Sequence, residues 1–295
     1  MKKRNLSDIC IKAFVFVFLL LLCVVCLYPF LNQLAISFNE GRDSARGGIT
    51  IFPRKPTLEN YKTLFNDPGY VKAFVVTVSR AVIATVLHII VVFSASYALT
   101  RKGLRGRKLI TTIFALPMYL NAGLIPMYIL FRNLGLINSY WVYILPFCFT
   151  FYNMVIVRSF IQEIPEALEE SALIDGANEI KILFKIILPL SFPVLATISL
   201  WSLVGQWNDW TTTLYYVTNK ELYPLQYLMM RVIKQGEQIR NQAYLEGTGI
   251  DVSVKTTSES VKAAMIIATS GPIIAIYPFL QKYFVKGVTI GAVKG

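Results

Sequence analysis

The sequence predicts an all-α membrane protein with six transmembrane helices. Three observations carry that expectation. The first is composition: 295 residues, 55% hydrophobic and only 16% charged, with mean hydropathy +0.54. A soluble domain of this length carries about 25% charged residues. The second is a set of apolar runs long enough to cross a hydrocarbon core of about 30 Å, which takes about 20 residues of helix. The third is where the positive charge lies. The net charge is +12, from 29 Lys and Arg against 17 Asp and Glu, and the basic residues flank the apolar runs. That pattern anchors helices at an inner leaflet. A nucleic-acid partner would need a soluble basic face instead, and none is expected.

The six expected spans are roughly 12–36, 72–99, 108–131, 138–160, 187–213 and 261–284 within one membrane domain covering 1–295. MKKRN gives the first span a basic start. The run is too long for a signal peptide and lacks a small-x-small cleavage site, so the helix is expected to be retained. Pro117, Pro126, Pro146, Pro272 and Pro278 fall inside later spans. Proline kinks a membrane helix but is tolerated where neighbours satisfy the freed carbonyls. Kinked helices fit a packed bundle around a path.

Orientation follows from loop charge. MKKR at the start, and Arg101, Lys102, Arg105, Arg107 and Lys108 after the second span, carry no acid between them. The positive-inside rule places both in the cytoplasm, and six spans bring the C-terminus there too. Residues 37–71 and a long loop at 214–260 then lie outside. Tyr215, Tyr216, Tyr223 and Tyr227 stand early in that loop.

Metal and redox chemistry find little support. Cys23 and Cys26 form a C-x-x-C inside an apolar run, with no second pair at ligand spacing, and read as small buried hydrophobes. His88 is the one histidine and reads as a polar contact within the bundle.

The most charged cytoplasmic stretch in the second half of the chain is 163–187. Pro165 and Glu166 suit a helix start, where acids meet the positive end of the helix dipole. Leu168, Ala172 and Leu173 form an apolar stripe, and Asp175-Gly176 breaks the helix because Gly accepts positive φ. Ile180, Leu183, Phe184 and Ile187 then recur at helical spacing. Glu163, Glu166, Glu169 and Glu170 stand on the first helix without a base. Anionic lipid would repel that face, so it expects a basic protein partner.

The same stretch resembles a known family. Glu170-Ser171-Ala172, three residues, Gly176, nine residues, then Ile186-Ile187-Leu188-Pro189 is similar to the E-A-A-x3-G-x9-I-x-L-P signature of ABC importer permeases. Ser171 departs from the pattern, small for small. SYALTRKGLRGRK, QWNDW and YPFLQKYFVKGVTIGAVKG resemble the second permease of maltose-type sugar importers, in the branch serving complex oligosaccharides. The resemblance runs from about residue 10 to the C-terminus. The first outer loop and much of 232–260 match no motif.

That resemblance implies a coupling helix docked on an ATPase subunit, through Glu169, Glu170, Ser171, Ala172, Asp175 and Gly176. It implies a second homologous permease subunit, an ABC ATPase dimer, an extracytoplasmic substrate-binding protein and an oligosaccharide as cargo. It also implies that the outer loop reaches the binding protein and that Lys286 to Gly295 reaches the ATPases. The chain has no G-x-x-x-x-G-K-[ST] loop, so it is not the motor. No cofactor is expected on this chain; ATP and Mg belong to the partner ATPase.

Gln206, Trp207, Asn208, Asp209 and Trp210 lie late in the fifth span, and two readings stand for them. Amides and an acid at membrane depth line a path that hydrogen-bonds sugar hydroxyls, with Trp faces against pyranose rings. Alternatively they form an aromatic belt at the outer interface. Asn121 and Asn153 are further candidates for the path. A permease for a peptide or polyamine is the rival inside the family. An intramembrane enzyme lacks a catalytic set, and a secondary transporter would need inverted repeats and coupling-ion residues that are not evident.

Overall fold

The computed structural model describes residues 6–120, 122–234 and 258–292. The described chain is nearly all helical. Its β-structure is one isolated bridge between Asn39 and Pro56. Two compact units form, one from Met1–Tyr70 with Met229–Gly271 and one from Val71–Leu228 with Pro272–Gly295.

In the first unit, α1 (Leu6–Ser37) exposes its apolar surface from Ile11 to Leu31 and buries Ala35 and Ser37 at its C-terminal end. Phe14 is 71% exposed and Val25 70%. An apolar surface that large belongs in lipid. Cys23 and Cys26 are free thiols on this exposed surface rather than buried groups, because among the described residues nothing packs over α1 there.

The segment after α1 carries α2 (Gly41–Ala45) and α3 (Glu59–Phe65) and is tied by side-chain amides. Asn60 Nδ2 donates to the carbonyls of Ser37 and Asn39, both at 2.9 Å, and its Oδ1 accepts from Ser260 Oγ at 2.9 Å. Asn39 Nδ2 donates to Asp43 Oδ2 at 3.0 Å, and Arg54 Nε reaches the same oxygen at 2.9 Å. The Asn39 hydrogen bond holds the Asp43 carboxyl below its ordinary range; burial opposes this, and Arg54 adds to it.

The second unit is built on α4 (Pro68–Thr100), whose buried face carries small residues at Ala73, Thr77, Ala81, Ala84 and Thr85. Small side chains let helices approach closely in lipid, where packing rather than water drives association. Further along, Val92, Phe93 and Tyr97 meet Met154, Val157 and Ile161 of α7 (Phe151–Gln162) and Val194, Leu195 and Ile198 of α11 (Phe192–Asn208). Steps of one, three and four residues keep each set on one side of its helix. A second cluster joins Ala84, Phe131, Val142, Tyr143, Ile144 and Val217.

Several expected spans are interrupted. The third is broken into α5 (Arg107–Tyr119) and α6 (Leu124–Asn133), with Asn121 outside the described residues. The fourth begins as 3-10 turns at Tyr140–Tyr143 and Leu145–Phe147 and bends 45° into α7. The fifth bends 74° before α11, where Pro193 lacks the N–H a continuous helix needs. It ends at Asn208, short of the expected 213, and α12 (Thr211–Tyr216) starts anew. A helix over 225–234, here α13, follows, and α14 (Ser258–Ala292) contains Pro272 and Pro278.

Three described helices are long and apolar enough to span, and five segments qualify if each bent pair counts as one. The start of the expected outer loop is only partly packed in: Val217 and Leu225 are buried, while residues 218–221 are exposed. The rest of that loop, 235–257, and the last three residues of the tail lie outside the described residues.

Candidate functional site

Two features of the second unit hold residues that the sequence singles out: the helix pair at 163–187 and a cleft between α4, α7 and α11.

In the helix pair, α8 (Glu166–Ile174) starts after Pro165, with Glu166 and Glu169 in its first turn. Its end is a Schellman turn. Ala177 N donates to Ala172 O at 2.9 Å and Gly176 N donates to Leu173 O at 3.0 Å, with Gly176 at φ 76°. Ala172 and Ala177 pack against the core as that motif's apolar contact. Asn178 Oδ1 then accepts from Lys181 N at 2.9 Å and caps α9 (Glu179–Ile182). A π-helical turn at Leu183–Ile187 leads into α10 (Leu188–Leu190). Ile182 and Ile187 are buried in the α4–α7–α11 cluster, which seats the pair.

The expected apolar stripe divides. Ala172 turns inward, while Leu168 and Leu173 are exposed, as are Ile174, Ile180 and Phe184. Glu169 is engaged within the chain: Arg101 Nη1 donates to its Oε2 at 2.5 Å and Arg101 Nη2 to its Oε1 at 3.0 Å. Arg101 also lies 4.0 Å over the Tyr97 ring. Lys102 Nζ pairs with Glu166 at 2.9 Å. Burial pulls the Arg101 guanidinium down, but its bonds to Glu169 and the surrounding charges outweigh that and leave it raised. Glu170 is exposed and forms no ion pair among the described residues. Glu163, Ser171, Asp175 and Gly176 are exposed as well. Arg101, Lys102, Glu166, Glu169, Glu170 and Glu179 line an open groove of about 840 Å³.

The polar cleft has about 240 Å³ and is lined by His88, Asn153, Trp201, Ser202, Gln206 and Asp209 among others. Asn153, Gln206 and Asp209, singled out in the sequence, meet here. Asn153 Nδ2 donates to His88 Nε2 at 2.8 Å, so Nε2 accepts and Nδ1 donates to Phe147 O at 2.9 Å. His88 is thus the expected bundle contact and a wall of the cleft as well. Trp207 is buried and Asn208 exposed, on other faces of α11, and Trp210 is half-buried ahead of α12.

Behind the cleft sits Arg80, fully buried. It donates through Nε and Nη2 to Gln206 O, and through Nη2 to Asp209 O at 2.6 Å and Asp209 Oδ2 at 3.5 Å. Its guanidinium lies 4.7 Å over the Tyr143 ring. Asp209 Oδ1 accepts from Thr211 N, Thr211 Oγ1 and Thr212 N, at 3.1, 2.8 and 3.2 Å. Asp209 therefore closes the end of α11 and opens α12. Sequence reasoning missed Arg80, Trp201 and Ser202. A lone arginine within an apolar span was the available signal for Arg80, and His88 stands two turns away on the same face.

Comparisons with known proteins cover most of the chain. The chain is 36% identical over 271 residues to protein LplC of Bacillus subtilis, covering 92% of this chain and 90% of that one. It is 34% identical to the polygalacturonan/rhamnogalacturonan transport system permease protein YtcP of Bacillus subtilis, covering 99% of this chain and 100% of that one. Among solved structures, it superposes with a TM-score of 0.86 on a chain of a bacterial ABC transporter involved in import of the acidic polysaccharide alginate. That match is 27% identical and covers 96% of this chain and 100% of the other. Residues 90–290 match the model of the binding-protein-dependent transport system inner membrane component, and the chain belongs to that family.

Proposed function

We propose that this chain is a membrane subunit of an ATP-driven, binding-protein-dependent importer of oligosaccharide or polysaccharide fragments. It forms the translocation path with a second permease. One structural observation supports the mechanism: the polar cleft and the helix pair hang on the same helices. α4 carries His88 to the cleft and Tyr97 to the groove. α7 carries Asn153 to the cleft and Val157 and Ile161 to the cluster that seats Ile182 and Ile187. A displacement of the helix pair therefore reaches the cleft through packed helices.

In this reading the chain is a single permease domain of six spans with both termini in the cytoplasm. The broken α5–α6 segment supplies the span that the continuous helices do not. The pair 163–187 is the coupling helix of an ABC ATPase dimer. Glu170 and the exposed Leu173, Ile174, Ile180 and Phe184 grip the ATPase, while Asp175, Gly176, Ser171 and Ala172 shape the turn and Glu169 holds it in place. ATP and Mg bind the ATPase, and this chain carries no cofactor and no catalysis. A loaded extracytoplasmic binding protein docks on the outer side as the ATPases close, and the spans open outward to accept the sugar, which is alternating access.

The relatives support carbohydrate as cargo. Those named above include a polygalacturonan/rhamnogalacturonan permease, and a galactooligosaccharides transport system permease of Bacillus subtilis is 30% identical. A peptide or polyamine permease has no support of this kind.

The test is reconstitution. The chain, its partner permease and the ATPase in proteoliposomes should take up labelled oligosaccharide only with ATP and loaded binding protein. The chain alone should neither bind nor hydrolyse ATP. Uptake without ATP, or turnover by the isolated chain, would overturn the reading.

A further inference from the structure

The loop between α4 and α5 divides its charges. Arg101 and Lys102 are taken by Glu169 and Glu166. Arg105, Arg107 and Lys108 follow, with no acid anywhere in 101–108. Their side chains make no ion pair or hydrogen bond among the described residues. A fourth cation is in the same condition. Arg158 of α7 is half-buried, and its Nε is enclosed without a partner. Two contacts fix its level. Leu104 lines the groove together with Ile161, Gln162 and Ile164, whereas Phe114 meets Phe149 with 5.1 Å between ring centroids. α5 and α7 therefore run antiparallel, and Arg158, one turn before Gln162, stands at the depth of the start of α5.

An unpaired guanidinium inside a spanning helix is costly, and an enclosed N–H without an acceptor adds to that cost. Arg107 and Lys108 also sit in the first turn of α5, where the helix dipole disfavours cations. An anion at this level relieves all three costs. The apolar side of α5 says which anion. No residue of α5 is buried. Arg107 shares the α7-facing side with Ile110 and Phe114. Leu109, Ile113 and Leu116 share another, outward face, with Leu109 65% exposed and Ile113 54%. That apolar stripe begins one residue after Lys108. A matching ligand carries its negative charge where its alkyl chains begin, which describes a phospholipid. A free phosphate or an acidic peptide offers the charge without the chains. Basic pockets at the cytoplasmic ends of membrane helices hold anionic headgroups in this way.

We propose that Arg105, Arg107, Lys108 and Arg158 bind the phosphate of an anionic phospholipid of the inner leaflet, whose acyl chain lies along Leu109, Ile113 and Leu116. The site rests on the permease reading above for its leaflet.

Photo-crosslinking on the detergent-purified, delipidated complete importer tests this. The probes are phosphatidylglycerol and phosphatidylcholine, each with a diazirine near the top of one acyl chain, and adducts are mapped by peptide mass spectrometry. Phosphatidylglycerol should label 105–116 about tenfold more than phosphatidylcholine does. Excess inorganic phosphate or glycerol 3-phosphate should not displace it. Arg105→Gln with Lys108→Gln, both at exposed positions that do not endanger folding, should lower that labelling about tenfold. Arg158→Gln should lower it about fivefold, and Arg158→Lys, which keeps the charge, should preserve most of it. Equal labelling by the two lipids overturns the proposal, as does labelling untouched by the double variant. Displacement by free phosphate would make the ligand a soluble anion, and absent labelling would mean that a partner subunit covers α5; either overturns it too. ATPase stimulation by the sugar-loaded binding protein is measured on the same importer in mixed-lipid vesicles. Stimulation with any of those overturning results sinks only the lipid site. Absent stimulation sinks the importer reading, while the labelling pattern still decides the lipid site.

Discussion

Arg101 holds Glu169 in a two-point grip, Nη1 to Oε2 at 2.5 Å and Nη2 to Oε1 at 3.0 Å. The arginine lies just past the end of α4, and the glutamate lies in the first turn of α8. The pair therefore ties the long second span directly to the helix that is proposed to meet the ATPase. Fork-to-fork geometry fixes direction as well as distance, which a lysine cannot do. Arg101→Lys should loosen α8 while leaving its charge balance intact. For a partly exposed pair the loss is about 1 kcal/mol, or roughly a fivefold rise in local opening. Hydrogen exchange of the 166–176 amides measures it, and ATP-driven uptake should fall in parallel. Unchanged exchange would mean that the core contacts of Ala172 and Ala177 suffice alone.

Gly176 separates conformation from space. A Cβ there would meet nothing within 4 Å, so the requirement is φ +76° alone. Gly176→Val should cost about 1–3 kcal/mol in strain and misdirect α9, lowering ATPase co-purification and uptake. Gly176→Asn should be nearly neutral, since Asn tolerates the left-handed region. Equal loss in both variants would point to a steric contact with the partner instead.

Glu170 and Glu169 should behave differently despite their adjacency. Glu170 is exposed and carries no ion pair among the described residues, so Glu170→Lys should cut ATPase co-purification without altering the melting of the permease itself. Glu169→Lys faces Arg101 and should destabilise the helix pair even without the ATPase. Thermal melts of the permease with and without its partner distinguish the two effects.

Arg80 is the structural keystone behind the cleft. Arg80→Met removes the charge facing Asp209 and the donors to two carbonyls. Breaking one side of a buried pair costs about 3–5 kcal/mol. The double variant Arg80→Met with Asp209→Asn should recover part of that loss, because no charge is stranded. A double-mutant cycle on the melting of the detergent-solubilised complex measures the coupling. Additive losses would show that Arg80 acts through the carbonyls alone.

The Asn39–Asp43–Arg54 knot gives a pH dependence. The folded Asp43 carboxyl titrates below its ordinary value, so its contribution is present above the unfolded pKa of about 3.9 and lost as pH falls through the folded value. Proteolysis of the 37–60 segment should accelerate below about pH 4, and Asp43→Asn should show faster cleavage at pH 7 with a flatter acid response. An identical acid profile in both would remove Asp43 from that role.

The sequence by itself determined the solvent, the helical class and the turn at 175–176. Apolar length and basic flanks are properties of single segments, and Gly176 announces its φ without help from any neighbour. It also brought Asn153, Gln206 and Asp209 forward, because polar groups at membrane depth need partners. Tertiary structure decided which partners those are. Nothing local says that Glu169 is taken by Arg101, 68 residues away, while Glu170 is left exposed. Nothing local says that Arg80 crosses 126 residues to cap α11. Spans three to five look continuous in hydropathy, yet break at Leu120–Gly123, before α7 and before α11. Hydropathy averages over a window, whereas a break depends on whether nearby helices and side chains satisfy the freed backbone groups. That is settled only when the helices pack.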